Sequence, residues 1–176
     1  MNIRVTVIPM GDVEDALPAL DALSRDIVFE TTGPREPPIE GYSTKRQQYL
    51  GKAFLDDVRP LGYARAIALT DLDLYEPDLN FIFGLAETCG KVCVVSTAKL
   101  RHPNKKIFHE RVRKEVVHEL GHTLGLFHCK SSGCVMRFSN NLADVDSKGQ
   151  WFCGRCARKW DDAILESRGV HTELEP

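Results

Sequence analysis

The chain has 176 residues, 43% of them hydrophobic and 8% aromatic, which is enough for one well-buried core and too few for two full-sized domains. Its 23 Lys and Arg against 25 Asp and Glu leave a formal net charge of -2 and a pI near 6.3, so no global basic field singles out nucleic acid or an anionic membrane as partner. No run approaches the length of a membrane span, and MNIRVTVIPMGDVED lacks an apolar stretch of signal-peptide length with a small-residue cleavage site; a cytoplasmic monomer with neither a membrane nor a nucleic-acid partner is expected.

IRVTVIPM alternates and ends at Pro9 and Gly11, the pattern of a first strand. DVEDALPALDALSRD follows with Val13, Leu17, Leu20 and Leu23 at helical spacing and Asp12 as N-cap, although Pro18 sits awkwardly inside that helix. IVFETT reads as a second strand and GPREPPIEG, rich in Pro and Gly, as a loop. STKRQQYLGKAFLDDVRP carries a helical period that must stop by Pro60. The acidic DLDLYEPD, with Asp71, Asp73, Glu76 and Asp78, lacks the glycine and spacing of an EF-hand and reads as a solvated turn. ARAIALT, FIFGLA and KVCVVST look like three more short strands. The order predicts an α/β fold, a mixed sheet backed by helices, with no internal repeat or low-complexity tract.

Asn104 can cap a helix that begins in KKIFHERVRKEVVHELGH, with Ile107, Val112, Val116, Leu120 and Leu124 as its inner face. Arg111, Arg113 and Lys114, together with RHPNKK, then fall to the exposed face. The helix runs into HELGHTLGLFHC. At about 100° per residue, His118 and His122 differ by only about 40° around the axis and can point at one metal. Glu119 is turned by about 100° from His118, out of the ligand direction but within reach of a water on that metal. A continuing helix would carry His128 too far along the axis, so the chain must turn sharply after Leu124, and Gly125 permits the left-handed conformation such a turn needs. His128 then folds back as a third ligand and leaves a fourth position open to water, as in catalytic rather than structural zinc sites.

Of the six cysteines, Cys129, Cys134, Cys153 and Cys156 are spaced C-x4-C and C-x2-C, which fits metal thiolates better than disulfides. Cys89 and Cys93, in ETCGKVCVVS, read as thiols in or beside a strand. Neighbouring side chains in extended chain point to opposite sides, so His128 can face one metal while Cys129 faces another. Four thiolates leave no open vertex, and the cysteine site is expected to be structural.

H-E-x-x-H-x-x-G-x-x-H at 118–128 resembles the zinc signature of the metzincin clan, and Met136 resembles the methionine of that clan's Met-turn. The longer pattern, HC-x4-C-x-M followed by C-x2-C, resembles the archaemetzincins, a branch with a second, four-cysteine zinc. The match is close from Val117 to Cys156 and loose before it. The resemblance implies an α+β metzincin-like fold with a mostly parallel twisted sheet of about five strands. It places an N-terminal subdomain with the active-site helix over 1–125 and a small zinc-bound subdomain over 126–176, within one catalytic domain. It further implies a zinc peptidase acting on a peptide or protein substrate. On that resemblance His118, His122 and His128 hold a catalytic zinc, Glu119 is the general base, Met136 is the Met-turn residue, and Cys129, Cys134, Cys153 and Cys156 hold a structural zinc. Two departures stand out. The stretch from Met136 to Cys153 is about one residue short of the family pattern, a change a loop absorbs. Phe138 stands where some metzincins carry a tyrosine, so no oxyanion stabiliser is assigned.

The rival reading is a zinc-dependent binding module with a ribbon-like cysteine site and no hydrolysis, supported by CARKW and RHPNKK. Glu119 speaks against it, because a purely structural site of three histidines has no use for a general base. The trailing SRGVHTELEP, with His171, reads as a polar tail.

Overall fold

Four apolar, β-branched segments run side by side and in the same direction through the centre of the computed structural model, which describes residues 3–23 and 27–167. In chain order the elements are β1 (Ile3–Met10), α1 (Pro18–Asp21), β2 (Ile27–Thr31), β3 (Tyr42–Ser43), β4 (Gln48–Leu50), α2 (Gly51–Val58), β5 (Ala66–Thr70), β6 (Leu74–Tyr75), β7 (Gly84–Ala86), β8 (Val92–Ser96), α3 (Lys105–Thr123), α4 (Leu142–Ser147) and α5 (Gly154–Ser167). The main sheet has the order β2-β1-β5-β8-β7. Its first four strands are parallel and β7 closes one edge antiparallel to β8, the mixed, mostly parallel sheet expected. A small sheet, β3-β4-β6, stands apart from it.

Every residue of β5 and β8 is buried, because both faces of a parallel sheet are covered. Ile67, Leu69, Cys93 and Val95 face the core that contains Val112, Val116 and Leu120 of α3. Ala66, Ala68, Val92 and Val94 face a second core around Phe54, Leu55 and Val58 of α2. The first core continues without a break into Cys129, Cys134, Val135, Met136, Phe152 and Trp160, so the chain beyond α3 packs on the same interior. Among the described residues no helix is long and apolar enough to cross a membrane.

Several expectations need correction. The helix expected over DVEDALPALDALSRD shrinks to Pro18–Asp21, preceded by turns. Pro18 lacks an N–H and starts the helix instead of sitting inside it; residues 24–26 of that segment lie outside the described residues. The helix expected over STKRQQYLGKAFLDDVRP exists only from Gly51. Its first half is a turn with Gln47 at φ 55 and then β4, held by bonds from Tyr49 N to Asp73 O and from Gln48 Nε2 to Asp73 and Asn80. Those partners lie 24 or more residues on, outside any local window. DLDLYEPD is no simple solvated turn: Leu74 and Tyr75 form β6, and Asp71, Asp73 and Glu76 bond separately to Asp12 N, Lys99 and Lys52 N. The tail that carries His171 lies outside the described residues.

Candidate metal centre

The helix α3 begins as its sequence demands, with Asn104 Oδ1 accepting from Lys106 N, and Val112, Val116 and Leu120 are fully buried on its inner face. Ile107 and Leu124 are only partly buried, and Phe108 and Val117 take the remaining core positions. The helix ends in a Schellman motif: Leu126 N donates to Gly121 O and Gly125 N to His122 O, with Gly125 at φ 81. This is the sharp turn that the position of His128 requires.

The turn also places a carbonyl against the His122 ring. Leu126 O lies 2.7 Å from His122 Nδ1, and Val135 O lies 2.9 Å from His118 Nδ1. A carbonyl can only accept, so each Nδ1 carries the proton and each Nε2 presents its lone pair. Those two Nε2 atoms are 3.1 Å apart, close to the roughly 3.3–3.4 Å that tetrahedral ligands keep at a Zn–N distance of about 2.0–2.1 Å. His128 joins them, with one ligand nitrogen from each of the three rings inside a 4.8 Å span. His128 is exposed, and its ring packs on Phe138 with centroids 4.9 Å apart. Burial lowers the pKa of all three imidazoles, most of all that of His118, so they stay neutral and able to bind metal.

Glu119 is buried on the same helix, and its carboxyl fills the space where residue 84 would carry a side chain: a Cβ on Gly84 would stand 2.6–2.8 Å from Glu119 Cγ, Cδ and Oε1. Burial, and after it the nearby Glu115, raises the proton affinity of Glu119 well above that of a free carboxylate. Met136 is fully buried with its sulfur against Gly121, which lies between the two helical histidines in sequence. A cleft of about 500 Å³ opens over this centre, lined by Gly84 and Leu85 of the edge strand, by Glu119 and the three histidines, and by Phe127 and Phe138.

The four C-terminal cysteines also converge, with their sulfurs within 4.8 Å of one another. Cys129 Sγ and Cys153 Sγ are 3.9 Å apart, close to the roughly 3.8 Å of tetrahedral thiolates at a Zn–S distance of about 2.3 Å. The backbone hydrogen bond from Ser131 lowers the Cys129 thiol to about 6, and Cys153 N donates to Cys134 Sγ. Both donor sets therefore suit zinc in type and spacing. Cys93 lies in β8 and is buried, as expected of a strand thiol. Cys89 is exposed in a turn at φ 56, its backbone N donating to His122 O.

Comparison with known proteins decides the class. The model of peptidase family M54 matches residues 42–162. The chain belongs to peptidase family M54. An archaemetzincin of Methanopyrus kandleri is 50% identical over 121 residues, covering 68% of this chain and 69% of that protein. One from Methanocaldococcus jannaschii is 35% identical over an alignment 183 residues long, gaps included, that covers 99% of each chain. The crystal structure of the Methanopyrus kandleri archaemetzincin aligns with a TM-score of 0.87 at 36% identity over 93% of this chain and 96% of that one. The Archaeoglobus fulgidus archaemetzincin, complexed with malonate, aligns at 0.84 and 33% over 89% and 99%. As an M54 member the chain is a zinc metallopeptidase, and the rival binding module falls away.

Two expected surface residues of α3 turn out to be interior in this M54 chain. Arg111 is 7% exposed and pairs bidentately with Asp146; Lys114 is 6% exposed and donates to Val145 O and Asp146 O. They are not free to meet an acidic substrate or a phosphate backbone. Sequence reasoning also passed over Gly84, Glu115 and Lys148. Glu115, one turn before Glu119, was open to discovery by its spacing, whereas nothing near Lys148 in the sequence marks it.

Gly84→Ala is expected to push Glu119 out of its place and cut peptidase activity about tenfold or more, at a stability cost of about 1–3 kcal/mol, read by kinetics beside thermal melts; unchanged kinetics would show that Glu119 does not need that space. Because burial lowers the three imidazole pKa values, metal binding there should weaken only below the ordinary histidine value of about 6.5, measured by zinc competition across pH. An onset above that value would contradict the burial described.

Proposed function

We propose that His118, His122 and His128 hold the catalytic zinc of this peptidase and that Glu119 is its general base. The observation that carries the reading is the convergence of three imidazoles, two with Nδ1 committed to backbone carbonyls, beside one buried carboxyl at the floor of the cleft. When bound, the zinc supplies Lewis acidity, polarising the scissile carbonyl and acidifying the attacking water to a pKa of about 7. Glu119 takes the proton from that water as its oxygen adds to the carbonyl carbon. As the C–N bond breaks, Glu119 gives the proton to the leaving amine nitrogen. Its raised proton affinity suits a group that must hold a proton between two transfers. The peptide lies along β7, an edge strand of the main sheet among the described residues, whose residues line the cleft, and adds a strand to the sheet there.

Cys129, Cys134, Cys153 and Cys156 hold a second, structural zinc in this reading, and Met136 forms the floor of the first site. Apparent binding energies of about 10–16 kcal/mol for structural zinc match or exceed the roughly 5–15 kcal/mol net stability of a typical domain. The second centre therefore supports the first through two short links. Cys129 follows His128 directly, and its N–H donates to Met136 O. Cys134 precedes Val135, whose carbonyl fixes His118.

Glu119→Gln is expected to retain zinc by elemental analysis and to lose about 10²–10⁴-fold in turnover; full turnover in that variant would remove Glu119 from the mechanism. Cys153→Ser should lose the structural zinc and lower the occupancy of the histidine site with it. Normal occupancy and activity in Cys153→Ser would break the link between the two centres.

A further inference from the structure

Lys148 lies between α4 and α5, and its side chain is wholly buried. A buried ammonium needs a partner for its charge. Its Nζ stands 2.8 Å from Glu115 Oε1 on α3, an ion-pair distance. The same Nζ donates to Arg137 O at 3.5 Å and lies 3.5 Å from His118 Nδ1, which is already engaged with Val135 O.

A buried ion pair contributes little net stability, because desolvation offsets its attraction, and an apolar pair of similar volume commonly does as well. What the pair supplies here is a position. Arg137 immediately precedes Phe138, whose ring packs on His128, and Phe138, Ser139 and Asn140 line the cleft. Two other ties fasten the same region to α3, Arg111 on Asp146 and Lys114 on the carbonyls of Val145 and Asp146. Both grip the end of α4. Of the three, only Lys148 reaches residue 137, where the cleft wall begins.

We propose that Lys148 is a substrate-positioning residue: paired with Glu115 on the active-site helix, it holds the Arg137 carbonyl and so sets the cleft wall made by Phe138, Ser139 and Asn140. Lys148 does not touch the peptide. It determines where the wall stands against which the peptide lies, so its loss weakens substrate binding more than the chemical step. The inference rests on the reading of this cleft as the peptide site.

The test uses full-length, zinc-loaded protein carrying Lys148→Met, and the double variant Glu115→Met/Lys148→Met, which removes both buried charges together and avoids stranding Glu115. With a peptide that the parent cleaves, the double variant should show KM raised about fivefold or more and kcat changed by a smaller factor, the part that the loss of the Glu115 charge beside Glu119 accounts for, while melting temperature and zinc content stay near those of the parent. The same pair of changes in a Glu119→Gln background should weaken peptide binding by a similar factor, a measurement that needs no turnover. A double variant with parental KM and parental peptide affinity overturns the proposal. So does one that loses zinc or melting temperature in step with activity, because the pair is then only structural. A parent that binds no peptide overturns the cleft assignment itself, an outcome distinct from unaltered binding in the variants.

Discussion

The reversal of the chain at Gly125 is the constraint on which the rest of the site depends. An α-helix can set two imidazoles four residues apart on one ion and no third, because each further turn moves about 5.4 Å along the axis. Ending α3 in a left-handed residue solves this, and the same hydrogen bonds that satisfy the last turn bring Leu126 O onto His122. One turn thus terminates the helix, orients the His122 ring and returns His128 to the other two histidines. It also starts the segment in which His128 joins the other two histidines and Cys129 joins the other three cysteines. A side chain at residue 125 would strain the φ of 81 and crowd the Cys89 sulfur at once.

The helix before that turn is unusual in what it buries. Arg111, Lys114, Glu115, His118 and Glu119 are all interior, because α4 and the segment around Met136 cover the face that would otherwise meet water. Each buried charge loses hydration worth several kcal/mol, so each must find a fixed partner. Arg111 finds Asp146, Lys114 finds two carbonyls, and Glu115 finds Lys148. The cost in desolvation yields a polar interior with little freedom to rearrange. In the proposed roles, Glu119 as general base and the histidines as ligands need that rigidity if they are to act over a few tenths of an ångström.

This burial also explains how far the sequence was legible. The approach of the three histidines, the cap at Asn104 and the turn at Gly125 all follow from spacings within about twenty residues, where helix geometry and turn chemistry act directly, whereas the two cysteine pairs were legible only by their C-x4-C and C-x2-C motifs. The fully apolar strands β5 and β8 were readable for the same reason. The short strands β4 and β6 were not, because their pairing depends on Gln48 and Tyr49 meeting Asp73 and Asn80 across a loop. Arg111 and Lys114 were assigned to water by a helical period that assumes one covered face, and α3 has two. Lys148 carries no local signal at all, since its role exists only once α4 has folded onto α3.

The account stands on three imidazoles sharing one zinc that keeps a position free for solvent. Crystals of the fully metallated protein, measured on both sides of the zinc absorption edge, test this most directly. The expected result is an anomalous peak among His118, His122 and His128 with no fourth protein ligand, and another among the four cysteines. A histidine centre with no peak, or one closed by a further side chain, would contradict the account.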